Sequence, residues 1–392
     1  MSIRLRRRLI DLACRALQAT LPTPLQRWGW AIRCEAAAIP DDSKALLFTL
    51  GSLCGLMPRA VASRLLTIFA SPVGDHVSRP EGSTIMHIVN AATRRPRALG
   101  IVCLTSAVLL GTAYMAIAGA PMRYLGVNLG ALIIGLTLLL LLERAARSGQ
   151  GWTDGANLMM AGALLATALF GSQADGIARW VYWGGLAMQP SLILLPTMLV
   201  AFSRFRNVPA TVSIVAAAVA MALQPDRAMA AMLVICLTAL AVMRPDRHVC
   251  TALAASAASF AATLIRADRL PAIPYVDQIL YSSFDLHAVA GLAVLGGLML
   301  LVVPSVIGWR RAAESRAIYV AFGAVWFAAI LAAALGNYPT PVVGYGGSAI
   351  IGYALSLLAL PKFSSANALA TAPKCGAIDE MPTDGPLSVA LA

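Results

Sequence analysis

From residue 98 onward the hydrophobic positions gather into blocks near 98–119, 122–143, 157–171, 187–203, 208–223, 228–244, 249–266, 286–307, 316–335 and 342–360. Apolar runs of this kind predict membrane-spanning helices. A lone span needs about 20 residues, so the shorter blocks must be buried among other helices to cross. The pattern therefore predicts an all-α polytopic membrane protein with about ten transmembrane helices. The last block contradicts itself: VVGYGGSAIIGYALSLLAL begins with Gly344, Tyr345, Gly346, Gly347 and Ser348, where a span should start. Non-helical backbone at membrane depth is tolerated only where protein buries it or where it lines a wet cavity.

Residues 1–97 follow another pattern. Arginines recur from Arg4, Arg6, Arg7 and Arg8 to Arg94, Arg95 and Arg97, and the apolar piece 45–57 is too short to span unaided. Pro40-Asp41-Asp42-Ser43 predicts a capped helix start. The region reads as a cytoplasmic or interfacial helical extension, with an extra short span as the competing reading. The basic start is too weakly apolar for a cleavable signal. Residues 98–362 form the membrane domain. Residues 363–392, rich in small and polar side chains, form a flexible tail.

Composition agrees with lipid as the solvent. Of 392 residues, 59% are hydrophobic and 12% charged, and mean hydropathy is +0.76; a soluble domain carries about 25% charged residues. The formal charge of +12 is then no sign of nucleic-acid binding. Cations cluster in alternate connections (RRPR, ERAAR, SRFR, MRPDRH and GWRRAAESR), which predicts that these connections and both termini are cytoplasmic. Seven cysteines lack CxxC spacing, which argues against a zinc site or a disulfide framework.

The opposite connections hold the unusual chemistry. In 176–191, Arg179 and Trp180 precede Gln189-Pro190. This is also the composition of an aromatic belt with Pro in a first helical turn. In 223–229, Gln224 and Pro225 precede Asp226, which is placed to cap the next helix. The longest connection, 266–289, carries Arg266, Asp268, Arg269, Tyr275, Asp277, Asp285 and His287. Asp277 stands next to an apolar run. A carboxyl against an apolar wall has a raised pKa, as a general base requires. The glycines at 344–347 permit tight turns and close backbone approach.

In this order the four stretches resemble the SEDS family (shape, elongation, division and sporulation). Its pattern runs R-W-I into Q-P-x-E, then Q-P-D-x-G, then an outward loop ending near T-D-F-I-F, then L-P-x-x-S-Y-G-G-S-S. Here Arg179-Trp180-Val181, Gln189-Pro190-Ser191-Leu192, Gln224-Pro225-Asp226, Val276-Asp277-Gln278-Ile279-Leu280 and Gly344-Tyr345-Gly346-Gly347-Ser348-Ala349 take those places. The sequence departs at Leu192, where the family has Glu, and at Leu195 and Pro196, where a Lys is usual. Its outward loop is also shorter. The resemblance implies ten spans and a peptidoglycan glycosyltransferase that polymerises lipid II outside the cytoplasmic membrane. Asp277 would be catalytic. Arg179, Trp180, Gln189, Gln224, Asp226, Tyr345, Gly346, Gly347 and Ser348 would bind substrate. Arg266 and Arg269 are further candidate diphosphate contacts, but of these arginines only Arg179 falls in a family motif. No metal ligands are implied, and a divalent cation is the one cofactor considered, to help the pyrophosphate leave. Implied partners are lipid II or another undecaprenyl-linked sugar, membrane lipids and a class B penicillin-binding protein transpeptidase. The alternatives are a non-catalytic SEDS-like protein that binds lipid-linked sugar or a partner, and a transporter.

Overall fold

A computed structural model describes residues 7, 10, 11, 14, 26–49, 51, 52, 95–145, 150–174, 177–183, 186–265, 271–311 and 313–361. Arg266, Asp268, Arg269 and the tail 363–392 lie outside the described residues.

The chain is a predominantly helical, polytopic membrane protein. Helix α1 is Gln26–Ala38. It is followed by helical residues 42–49, whose start is capped as expected: Asp41 Oδ1 accepts the Ser43 N–H at 2.7 Å. That hydrogen bond holds the Asp41 carboxyl below its ordinary pKa. Then come α2 (Pro96–Ile117), α3 (Met122–Ala145), α4 (Gln150–Phe170), α5 (Pro190–Arg204), α6 (Val208–Leu223), α7 (Arg227–Met243), α8 (Arg247–Ile265), the short α9 (Ile279–Leu286), α10 (Ala288–Arg311), α11 (Arg316–Leu335) and α12 (Gly347–Ser356). Apart from α9, the ten helices from α2 onward match the ten apolar blocks, with moved boundaries. Helix α4 starts at 150, seven residues earlier than its apolar block. Helix α12 starts only at Gly347, because 341–346 turn instead of coiling.

Six of these helices are long and apolar enough to cross a membrane alone: α2, α3, α4, α8, α10 and α11. The short ones, α5, α6, α7 and α12, have an assigned place. Helix α12 packs on α3 and α5, α7 on α8 and α11, and α6 on α4 and α8. The core formed there includes Phe202, Leu233, Phe322, Trp326 and Tyr353, all fully buried. A 15-residue helix is about 22 Å long, short of a hydrocarbon core of about 30 Å. The ends of such helices sit inside the body and leave depth for irregular backbone.

Antiparallel connections give the body two ends. At one, Arg97 pairs with Glu143 at 2.9 Å and donates to the Leu358 and Leu360 carbonyls at 2.7 Å, joining α2, α3 and the end of the α12 segment. Arg206 pairs with Asp246 at 2.9 Å, and the Asn207 amide reaches Asp154 at 2.7 Å. All four motif-bearing stretches lie at the other end.

Candidate functional site

Between α4 and α5 the chain forms a small antiparallel meander that apolar periodicity did not reveal: β1 (Ser172–Ala174), β2 (Ile177–Trp183) and β3 (Leu186–Met188). Trp180 pairs with Ser172, and Val181 pairs with Met188. Strand β2 carries Arg179 into the protein, where it is 3% exposed. Its Nη2 donates to the Pro225 carbonyl and its Nε to the Gln224 carbonyl at 3.5 Å. Gln224 is the C-cap of α6, so a cation sits at the negative end of that helix dipole.

Asp226, fully buried, is the N-cap of α7 and more than a cap. Its Oδ1 accepts from Met229 N at 3.2 Å. Its Oδ2 accepts from Gln189 Nε2 at 3.0 Å and Ser191 Oγ at 3.3 Å. Gln189, the N-cap of α5, gives its backbone N–H to Ser348 Oγ at 2.9 Å, in the first turn of α12. The N-termini of α5, α7 and α12 therefore meet in one buried polar network, and each brings the positive end of a helix dipole. Gln224 ties this network to α4 by donating to the Leu164 carbonyl at 3.1 Å.

A second network surrounds Asp277. Its Oδ2 accepts the Ile273 N–H at 2.9 Å, while its own N–H returns to the Ile273 carbonyl at 3.0 Å. The segment 275–277 lies against 339–345. Asp277 bridges Pro339, Thr340 N donates to the Val276 carbonyl at 2.9 Å, and Tyr345 N donates to the Tyr275 carbonyl at 2.7 Å. Gly344 is required here, because an added Cβ would come within 2.7 Å of Ile279 Cδ1 and 2.8 Å of the Thr340 carbonyl. Three non-glycine residues around this junction take left-handed backbone: Tyr275 (φ 65°), Gln278 (φ 55°) and Val342 (φ 69°). Each such residue costs about 1–3 kcal/mol and persists only where its surroundings hold it. Asp277 is 8% exposed, and burial raises its pKa above the ordinary carboxyl value, partly offset by the Ile273 N–H.

The structure thus gathers Arg179, Gln189, Gln224, Asp226 and Ser348 in one network. It places Asp277, Tyr345 and Gly346 in the other, with the 339–348 segment belonging to both. Gly347 packs toward α3, where a Cβ would sit 2.9 Å from Ala131 Cβ. Leu192 is buried where the resembled family carries Glu, and α12 approaches it at Gly352, which has no room for a Cβ against the Leu192 carbonyl. Asp285 and His287 are exposed on and beside α9. Sequence reasoning missed two α3 residues. Tyr124 stacks on Tyr345 with ring centroids 3.8 Å apart. Asn128 bonds to the 344–346 turn. The available signal was Asn128 itself, a polar side chain inside an apolar block. Among the described residues no three His, Cys, Asp or Glu side chains converge.

The chain matches no protein-family profile and no curated protein. Among solved structures it is similar to the rod shape determining protein RodA of Thermus thermophilus. The two are 20% identical, with a TM-score of 0.47, over 66% of this chain and 93% of that one. It is likewise similar to an aspartate-to-alanine mutant of that RodA, at 20% identity and TM-score 0.46, over 66% of this chain and 94% of the other.

Proposed function

We propose that this chain is a divergent SEDS protein of the bacterial cytoplasmic membrane, with both termini in the cytoplasm, that extends peptidoglycan glycan strands from lipid II. The observation that carries this is Asp277: a buried carboxyl with a raised pKa, outside the spans, in a loop held in strained backbone at the motif-bearing end. In this proposal the Asp277 carboxylate takes the proton of the acceptor sugar's 4-hydroxyl. The freed oxygen attacks the donor's anomeric carbon, and the bond from that carbon to the diphosphate oxygen breaks. The lipid diphosphate leaves with the electron pair. A positioned general base contributes about 10²–10⁴-fold. Three converging helix N-termini and the Arg179 charge favour an anion at the same end. Trp180, Gln189, Gln224, Asp226, Tyr345, Gly346, Gly347 and Ser348 shape that end, and the undecaprenyl tail lies against apolar helix surface.

Buried Leu192 favours a second reading, a SEDS-like protein that binds lipid-linked sugar or a class B penicillin-binding protein without polymerising. Reconstituted protein incubated with labelled lipid II, with and without that transpeptidase, separates the two. The enzyme makes glycan polymer and loses it in Asp277→Ala. Polymer undiminished in Asp277→Ala removes Asp277 from its role. Absence of polymer with retained transpeptidase binding selects the second reading.

A further inference from the structure

Asn128 lies within α3, 0% exposed, as the one polar side chain of the stretch LGVNLGALIIGL, residues 125–136. Both ends of its amide are used. Nδ2 donates to the Gly344 carbonyl at 2.8 Å, and Oδ1 accepts the Gly346 N–H at 3.1 Å. One side chain therefore closes a two-point clamp across the turn that precedes α12. The Gly344 carbonyl is buried and Gly346 half-buried, and a buried backbone group whose hydrogen bond is unmade costs about 1–3 kcal/mol. Between the clamped residues stands Tyr345, whose N–H holds the Tyr275 carbonyl and whose ring stacks on Tyr124, one helical turn before Asn128. Next along the chain are Val276, bonded to Thr340, and Asp277, bridged to Pro339. The connection from Asn128 to Asp277 is continuous: α3 amide, glycine turn, two backbone hydrogen bonds, carboxylate loop. Each step is a directional bond rather than mere proximity.

We infer that Asn128 is a positioning residue for Asp277, acting through the 344–346 turn to hold the 273–277 loop in its site geometry. This rests on the proposed role of Asp277 for its functional consequence, but not for the structural coupling. The Ile273 N–H is bonded to Asp277 Oδ2 and so reports directly on whether the carboxylate is held.

Hydrogen exchange on the full chain in detergent or nanodiscs tests the coupling. In Asn128→Leu, a near-isostere without hydrogen-bonding groups, the Tyr345, Thr340 and Ile273 amides exchange at least about tenfold faster, while amides in α7 and α8 keep wild-type rates. Faster exchange at Tyr345 with Ile273 unchanged overturns the inference, as does no change at either. If Asn128→Leu loosens the whole body, Asn128→Asp decides. It keeps the acceptor for Gly346 but, when ionised, loses the donor to Gly344, and it must show the same local pattern or the inference fails. Lipid II polymerisation supplies the second readout: kcat falls about 10-fold or more in Asn128→Leu with KM unchanged. A change in KM alone overturns positioning. If the wild type makes no polymer, the proposed activity fails while the exchange coupling still stands or falls by itself.

Discussion

Two aspartates, one at each end of the helical body, show how differently this protein treats the same side chain. Asp246, between α7 and α8, also loses solvent. Arg206 at 2.9 Å and the Val249 N–H at 2.9 Å outweigh that loss, and its pKa falls below the ordinary value. Asp277 is held by one backbone N–H within an apolar surround, and its pKa rises. At the first end charge is compensated and structural; at the second a carboxyl is kept in a state that costs free energy. Stability alone does not explain that cost, whereas the proposed proton transfer at the site would.

The largest effect that could break this contrast is on activity. Asp277→Asn should lower polymerisation of lipid II by about 10²–10⁴-fold with the fold intact, whereas Asp246→Asn should leave it within a few fold. Equal losses from both would erase the distinction between the ends. The pH profile sharpens it. A base must be ionised to act, so the acid limb of kcat/KM should lie above the ordinary Asp value of about 3.9. A limb at or below that value argues against Asp277.

Stability should respond in the opposite sense. Raised Asp277 contributes stability that is present below its unfolded pKa and lost as pH rises through its folded pKa. Lowered Asp246 contributes stability present above its unfolded pKa and lost as pH falls through its folded pKa. Removing each carboxyl in turn and following thermal unfolding against pH should reveal these opposite slopes.

Within the motif-bearing end, Asp226→Ala should be the most destabilising change. It strands Gln189, Ser191 and the first turn of α7, at about 2–4 kcal/mol. Asp246→Ala removes a partly buried pair and a cap and should cost about 1–2 kcal/mol. Intrinsic-fluorescence melting of the two variants checks the order. If Asp246→Ala melts lower, the buried Asp226 network carries less than its bonds imply.

Comparable in size is Gly352→Ala, which sets one methyl against the Leu192 carbonyl and should cost about 1–3 kcal/mol by overpacking. The same melting assay would show an unshifted midpoint if α12 can retreat from α5.

Much of this was legible in the chain. Ten apolar blocks foretold ten helices, because lipid demands apolar faces and internally bonded backbone. Pro190 and Asp226 foretold two helix starts, since a missing N–H and a capping carboxylate belong there. The glycines at 344–347 foretold a turn. The β meander was not legible, because two of its three strands have only three residues, too few to show alternation. Helix α9 was hidden in a loop whose eight residues ILYSSFDL give too little periodicity.

Pairing was decided only by the tertiary structure. Sequence placed Arg179, Gln189, Asp226 and Ser348 at one end; only packing determined that Gln189 bonds to Asp226 and Ser348 while Arg179 holds backbone carbonyls. Asn128 was visible as a lone polar residue in an apolar helix, but its partners lie 216 and 218 positions away. Local composition fixes which segments leave water, because that depends on each side chain alone. Which buried polar atoms satisfy one another depends on directional bonds between distant segments, and those exist only once the helices have packed.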